Sequence, residues 1–231
     1  DALDIDPNAA MIHISIADAY RRLGRSRHAE NHLEIAITLD SSDITAREML
    51  GQLYLLNRKY KLAENQFFEL SKIDLNNDNY LSVLGDLAKL QKEWNKSIDF
   101  YLKAHQVNPQ NFEVLESAMQ VCLSVEFFKK AEQICKMLVD YNINNSSYWL
   151  TYKQITAFNK NYLNTLNAIN ELERIEGESI KLTLEKSAIM QELNNTKEAI
   201  NILIKAHDPD STNVEIVKRL VSLFLDDQNY E

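Results

Sequence analysis

Few residues in this 231-residue sequence stand where chemistry would need them. His28 and His32 are four apart in HAENH, a spacing that turns both imidazoles to one side of a helix and toward one metal ion. The zinc-protease arrangement is H-E-x-x-H; here Ala29 follows the first histidine and Glu30 comes one place too late. With no third ligand nearby in sequence, the pair reads as a solvated helix face. His13, His105 and His207 stand isolated in the sequence. Cys122 and Cys135 form neither a disulfide framework nor a zinc site, and both fall on apolar positions, as two buried thiols would. Gly24, Gly51, Gly85 and Gly177 are too far apart for a phosphate loop, and Asp208 and Asp210 flank Pro209 in a turn whose backbone they can cap. Carboxylates are plentiful, but none is placed for paired acid–base work. The expectation is a non-enzymatic protein with no catalytic residue, no metal site and no cofactor.

The bulk properties narrow the classes further. Hydrophobic residues make up 45% and charged residues 26%, too apolar for a disordered acidic tail. Four glycines and three prolines are too few for a many-turned β-architecture. A net charge of −9 argues against nucleic acid, whose affinity comes largely from Lys and Arg displacing counterions. No apolar run reaches the roughly 18 residues of a membrane span, and no signal peptide opens the chain, so no membrane insertion is expected. A cytoplasmic setting is the expectation, although two cysteines alone leave an oxidising compartment open.

The elements that would position any site are set by a repeat. From Leu84 to Pro109 the chain reads LGDLAKLQKEWNKSIDFYLKAHQVNP: two amphipathic segments, a tight turn at Gln91–Trp94, and a closing proline. The pattern returns at a period of about 34 residues, the mark of a stacked-repeat architecture. One small-residue column holds Ala17, Gly51 and Gly85; another holds Ala29, Ala63, Ser97, Ala131, Thr165 and Ala199. Small side chains let paired helices approach closely. Larger apolar residues interleave at helical spacing, as in Ile16, Leu50, Leu84 and in Leu33, Phe67, Tyr101, Ile169, Leu203. Capping residues precede each first helix at Asp43, Asn77, Asn111, Asn145, Ser179 and Asn213, and an aromatic follows most internal turns at Tyr60, Trp94, Phe128, Tyr162 and Tyr230.

This pattern resembles the tetratricopeptide-repeat family, W-x2-L-G-x2-Y, then A-x3-F, A and P. Leu81, Leu84-Gly85, Ala88, Ser97, Tyr101, Ala104 and Pro109 stand at those places, as do His13, Ile16-Ala17, Tyr20, Ala29, Leu33 and Ala36. The resemblance implies an all-α, right-handed superhelical solenoid of antiparallel helix pairs with about 13 helices and no β-sheet. Repeats are expected at 10–43, 44–77, 78–111, 112–145, 146–179 and 180–213. Residues 1–9 then end a preceding repeat and 214–231 form a partial one, as in a piece of a longer chain. Repeats five and six depart from the pattern. Lys153 and Thr165 replace two small facing residues, Lys186 replaces a leucine, and Pro209 is expected to end a second helix early. Either a locally loosened helix pair or a hinge fits these departures.

In this family a second set of first-helix positions, turned roughly 130° from the packing set, lines a concave groove that holds a partner segment. Here those positions supply Asp18, Arg21, Glu48, Gln52, Leu55, Asn79, Ser82, Asp86, Lys89, Glu113, Glu116, Gln120, Leu123 and Gln154. The Lys and Asn clamp with which some members grip the acidic tail of chaperones is not matched, since Ile14 and Asp18, or Glu48 and Gln52, stand in those places. The resemblance therefore implies a protein-interaction scaffold that binds a peptide segment of a partner protein. The alternative is the regulatory or docking arm of a larger enzyme. Acidic residues outnumber Arg21 and Lys89 in these columns, which suits a basic, partly apolar segment or merely keeps the surface soluble. Val217, Leu220, Val221 and Phe224 form an apolar stripe on the last segment, where self-association is expected.

Overall fold

The computed structural model describes residues 9–207 and 213–228, apart from the side chains of 226–228. Among the described residues there are 13 α-helices and no strand. They run α1 (Ala9–Arg22), α2 (Ser26–Leu39), α3 (Ile44–Leu56), α4 (Tyr60–Ile73), α5 (Asp78–Leu90), α6 (Trp94–Val107) and α7 (Glu113–Ser124). They continue as α8 (Phe128–Tyr141), α9 (Ser146–Phe158), α10 (Tyr162–Glu176), α11 (Ile180–Glu192), α12 (Thr196–Ala206) and α13 (Val214–Gln228). Two compact units, residues 1–125 and 126–231, divide the chain. Within each, a helix packs mainly on its neighbours in sequence, and α11 also meets α13.

Local signals account for most helix boundaries. Asp43 Oδ1 accepts from the Ala46 N–H at 2.7 Å, and Asn77, Asn145, Ser179 and Asn213 cap α5, α9, α11 and α13 in the same manner. Asn111 does not cap α7. The capping position falls on Phe112, and the Asn111 amide instead donates to buried Asp78 at 2.6 Å. Asn161 and Asn195 add side-chain caps at second helices. The expected aromatics Tyr60, Trp94, Phe128 and Tyr162 each open a second helix; Tyr230, like Asp208, Pro209 and Asp210, lies outside the described residues.

Six first helices, α1, α3, α5, α7, α9 and α11, end alike. Gly24, Arg58, Lys92, Glu126, Lys160 and Asn194 each adopt a left-handed φ between 57° and 69°. After Gly24, Arg58, Lys92, Lys160 and Asn194 the next residue's N–H reaches back into the last turn of the helix, as Arg25 to the Tyr20 carbonyl and Glu93 to that of Ala88. This closure satisfies carbonyls that the helix leaves free and folds the chain back on itself. Glycine carries it at the first turn only.

Packing in the first unit follows the small-residue columns. Ala17, Ala29, Ala63, Ser97, Leu33, Phe67 and Tyr101 are all buried. Gly51 faces the ring of Phe67 and Gly85 that of Tyr101, so closely that a Cβ on either would press into the ring. The bared Gly85 carbonyl accepts the Ser97 hydroxyl at 2.8 Å, which makes a serine acceptable in an alanine column.

The second unit solves the same contact with polar groups. Lys153 is 7% exposed, and its ammonium pairs with Glu185 of α11 at 2.5 Å. Thr165 donates to Thr156 at 3.1 Å in a buried contact. Lys186 is half-buried and pairs with Glu173 at 2.8 Å. The two departures are thus satisfied in place by paired polar groups, as burial of charge demands. On α13, Ile216 and Leu223 are buried, while Val217, Val221 and Phe224 are 42%, 53% and 47% exposed.

Candidate functional site

The candidate residues sit on the first helices, and their environments differ. In the first unit Gln52, Asn79, Lys89, Glu113 and Gln120 are exposed, whereas Ser82, Glu116 and Leu123 are half-buried. Leu55 packs its inner side on the core. Gln154, the one candidate in the second unit, is exposed on α9.

Asp18, Glu48 and Asp86 are already occupied. Asp18 accepts from Arg21 at 2.6 Å and from Arg22 at 2.7 Å, and these hydrogen bonds hold its carboxyl below the usual range. Glu48 accepts the Tyr80 hydroxyl at 2.5 Å, and Asp86 accepts that of Tyr101 at 2.6 Å. Burial first, then Glu48, pushes the Tyr80 phenol up to about 12. Burial first, then Asp86, raises Tyr101 further. Each phenol thus remains a donor, and each carboxylate is fixed in direction by it. Their charge remains on the helix surface, but their lone pairs are partly spent. Arg21 is likewise committed to Asp18, whereas Lys89 and Glu113 are exposed and make no ion pair among the described residues.

In the second unit the equivalent helix face opens into a cleft of about 580 Å³ between α9 and α11, floored by Thr165 of α10. Leu150, Lys153, Gln154, Ala157 and Phe158 form one wall, and Lys181, Glu185, Ala188 and Ile189 the other. Of these only Gln154 stands among the sequence candidates. Leu150, Ala157 and Lys181 stand at the same repeat positions as Glu48, Leu55 and Asn79, so the period places them on this face too.

A second missed set is the glutamate that follows the small residue of second helices. Glu30 accepts from Asn57 at 3.0 Å and Lys59 at 2.6 Å, lying 27 and 29 residues on. Glu64 accepts from Gln91 at 3.1 Å and Lys61 at 3.0 Å, and also from Lys96. Glu132 accepts from Asn159 and Asn161 at 2.7 Å and from Asn164 at 3.1 Å. Each carboxylate ties a second helix to the turn of the next pair. Burial pushes Glu64 up, but the hydrogen bonds from Lys96, Lys61 and Gln91 outweigh it and hold the carboxyl at about 2.

The histidines pair differently from the expectation. His13 of α1 meets His32 of α2 with their Nδ1 atoms 2.9 Å apart, while His28 stacks on Tyr20. His13 is therefore not isolated, and His32 faces α1 in place of sharing a ligand with His28. Among the described residues no group of three or more His, Cys, Asp or Glu is arranged to hold a metal ion, and no helix is long and apolar enough to cross a membrane. Cys135 is buried, which pushes its thiol up to about 12 and makes it a poor nucleophile.

No family model and no curated protein matches this sequence. Solved structures do. The TPR protein YrrB, described as having an unusual peptide-binding site, superposes with a TM-score of 0.52 at 16% identity, covering 77% of this chain and 91% of that one. A tetratricopeptide repeat protein from Parabacteroides merdae ATCC 43184 gives 0.51 at 15% identity, over 96% and 87% of the two chains. A chain from the assembly of Naa15/Naa10 bound to HypK-THB gives 0.66 at 12% identity, and this protein matches 34% of its length. At such identities the likeness is one of fold, and the fold of this chain is that of the tetratricopeptide-repeat proteins.

Proposed function

We propose that this protein is an interaction scaffold that holds a segment of a partner protein along the outward faces of its first helices. The repeats are taken as 10–43, 44–77, 78–111, 112–145, 146–179 and 180–213, with 214–231 a partial unit. One observation carries the reading. On the first helices the packing column is filled and buried, as at Ala17, Gly51 and Gly85, while the adjoining columns keep polar groups at the surface, as at Gln52, Lys89, Glu113 and Gln120. Rigid helices that present such a row suit an extended or helical peptide. YrrB, similar in fold, is described as having an unusual peptide-binding site, which lends the proposal support.

In the first unit the row is acidic, and the proposed partner segment is basic and partly apolar. A wall lined by one sign of charge steers oppositely charged partners. Glu113 offers the cleanest test, because reversing Glu48 or Asp86 would also break a tyrosine hydrogen bond. A partner captured from the native cell is titrated against wild type and against Glu113→Lys with Gln120→Lys, at two salt concentrations. Weaker binding in the variant and a loss of affinity with salt support the proposal. Equal affinity together with no salt dependence sinks it.

A further inference from the structure

The cleft between α9 and α11 carries the opposite charge balance. It holds two cations, Lys153 and Lys181, and one anion, Glu185, within a chain of net charge −9. Lys153 is the buried member, and it rests on Glu185 at 2.5 Å. Lys181 lies one helical turn before Glu185 on α11, is exposed, and makes no ion pair among the described residues. The walls around these charges are apolar at Leu150 and Phe158, which are 43% and 65% exposed. Glu185 balances one of the two cations, so the cleft keeps a net positive charge, and its partly apolar walls screen that charge less than open water would. Packing alone does not call for a lysine here. The same column is filled by Gly51, Gly85 and Met119 in earlier repeats, and a lysine adds a desolvation cost that none of these carries.

We infer that this cleft anchors a partner segment carrying a carboxylate beside a large apolar side chain. The carboxylate meets Lys181 and the Lys153 end of the Lys153–Glu185 pair. The apolar group lies between Leu150 and Phe158, and Gln154 hydrogen-bonds the segment's backbone. A basic segment is disfavoured because it would face the net positive charge of the cleft. The inference rests on the reading of the first-helix faces as the binding surface and adds the chemistry of the segment at this end.

The test uses three probes, N-acetyl-Leu-Glu-Phe-amide and its Gln and Lys counterparts, titrated to about 10 mM, the range in which peptides of this size bind. The full chain is observed through its backbone amide resonances. The expected result is a saturable response at Lys153, Gln154, Lys181 and Ile189, about fivefold tighter for the Glu probe than for the Lys probe. Lys181→Glu, an exposed change with its melting curve checked against wild type, is expected to reverse that order. Equal affinity for the Glu and Lys probes, or no reversal, overturns the inference. A response confined to α3 and α5 also overturns it while leaving the binding-face reading intact. A response confined to second helices overturns both.

Discussion

Gly85 and Tyr101 occupy one space: a Cβ built on Gly85 would stand 2.6 Å from Cε1 of the Tyr101 ring. The ring has nowhere to retreat, because it is buried and its hydroxyl is held by Asp86. In an exposed helix Gly→Ala gains about 1 kcal/mol, but here overpacking of about 1–3 kcal/mol acts against it. Gly85→Ala is expected to lower stability by about 1 kcal/mol in urea unfolding. In Gly51→Ala the contact is 2.9 Å to Phe67, and the loss is smaller. If Gly85→Ala proves stabilising, the close approach does not govern the pair.

Glu64 couples the first unit to acid. Its carboxyl is held at about 2 in the folded chain against an ordinary 4.5, so its contribution is complete above 4.5 and is lost as pH falls through about 2. Glu64→Gln is expected to cost about 1–3 kcal/mol at neutral pH. The gap between variant and wild type closes as pH falls from 4.5 toward about 2. Chemical unfolding at a series of pH values reads the convergence, and a constant gap excludes the depressed carboxyl as its source.

Lys92 turns the chain with φ 61°, and its side chain is exposed. A left-handed conformation strains a side chain, whereas glycine tolerates it at the expense of unfolded-state entropy. Lys92→Gly is expected to stabilise by about 0.5–1 kcal/mol, seen as a raised urea midpoint. The reverse change at the first turn, Gly24→Ala, at φ 69°, is expected to destabilise.

The Lys153–Glu185 pair is unequal, which gives its two deletions different magnitudes. Glu185→Ala strands a cation that is 7% exposed and is expected to cost about 3 kcal/mol. Lys153→Met leaves Glu185, whose side chain is 34% exposed and still reaches water, and the cost is expected to stay under about 1 kcal/mol. Equal losses would show that the pair acts through packing, not through desolvation of the lysine.

What the sequence determined by itself was everything that repeats at short range. Helix pairs, small-residue columns and five of the six first-helix caps follow from 3.6-residue periodicity and local hydrogen bonding, which need no knowledge of distant residues. The close approach at Gly51 and Gly85 was legible for the same reason. The left-handed turns were not, since Arg58, Lys92, Glu126 and Lys160 carry no glycine or asparagine signal. The glutamates Glu30, Glu64 and Glu132 recur beside the small column, so their period was visible. Their burial was not, because a glutamate ordinarily reads as solvent-facing until its donors arrive from the next pair.

Only the tertiary structure decided how the candidate surface is spent. Glu48 and Tyr80 are 32 residues apart and His13 and His32 are 19 apart. No local pattern links such residues, and their meeting depends on how successive helix pairs stack. The cleft at Lys153 has the same origin. Sequence marked the lysine as a misfit in a small-residue column, and stacking of α11 beside α9 supplied Glu185 to receive its charge.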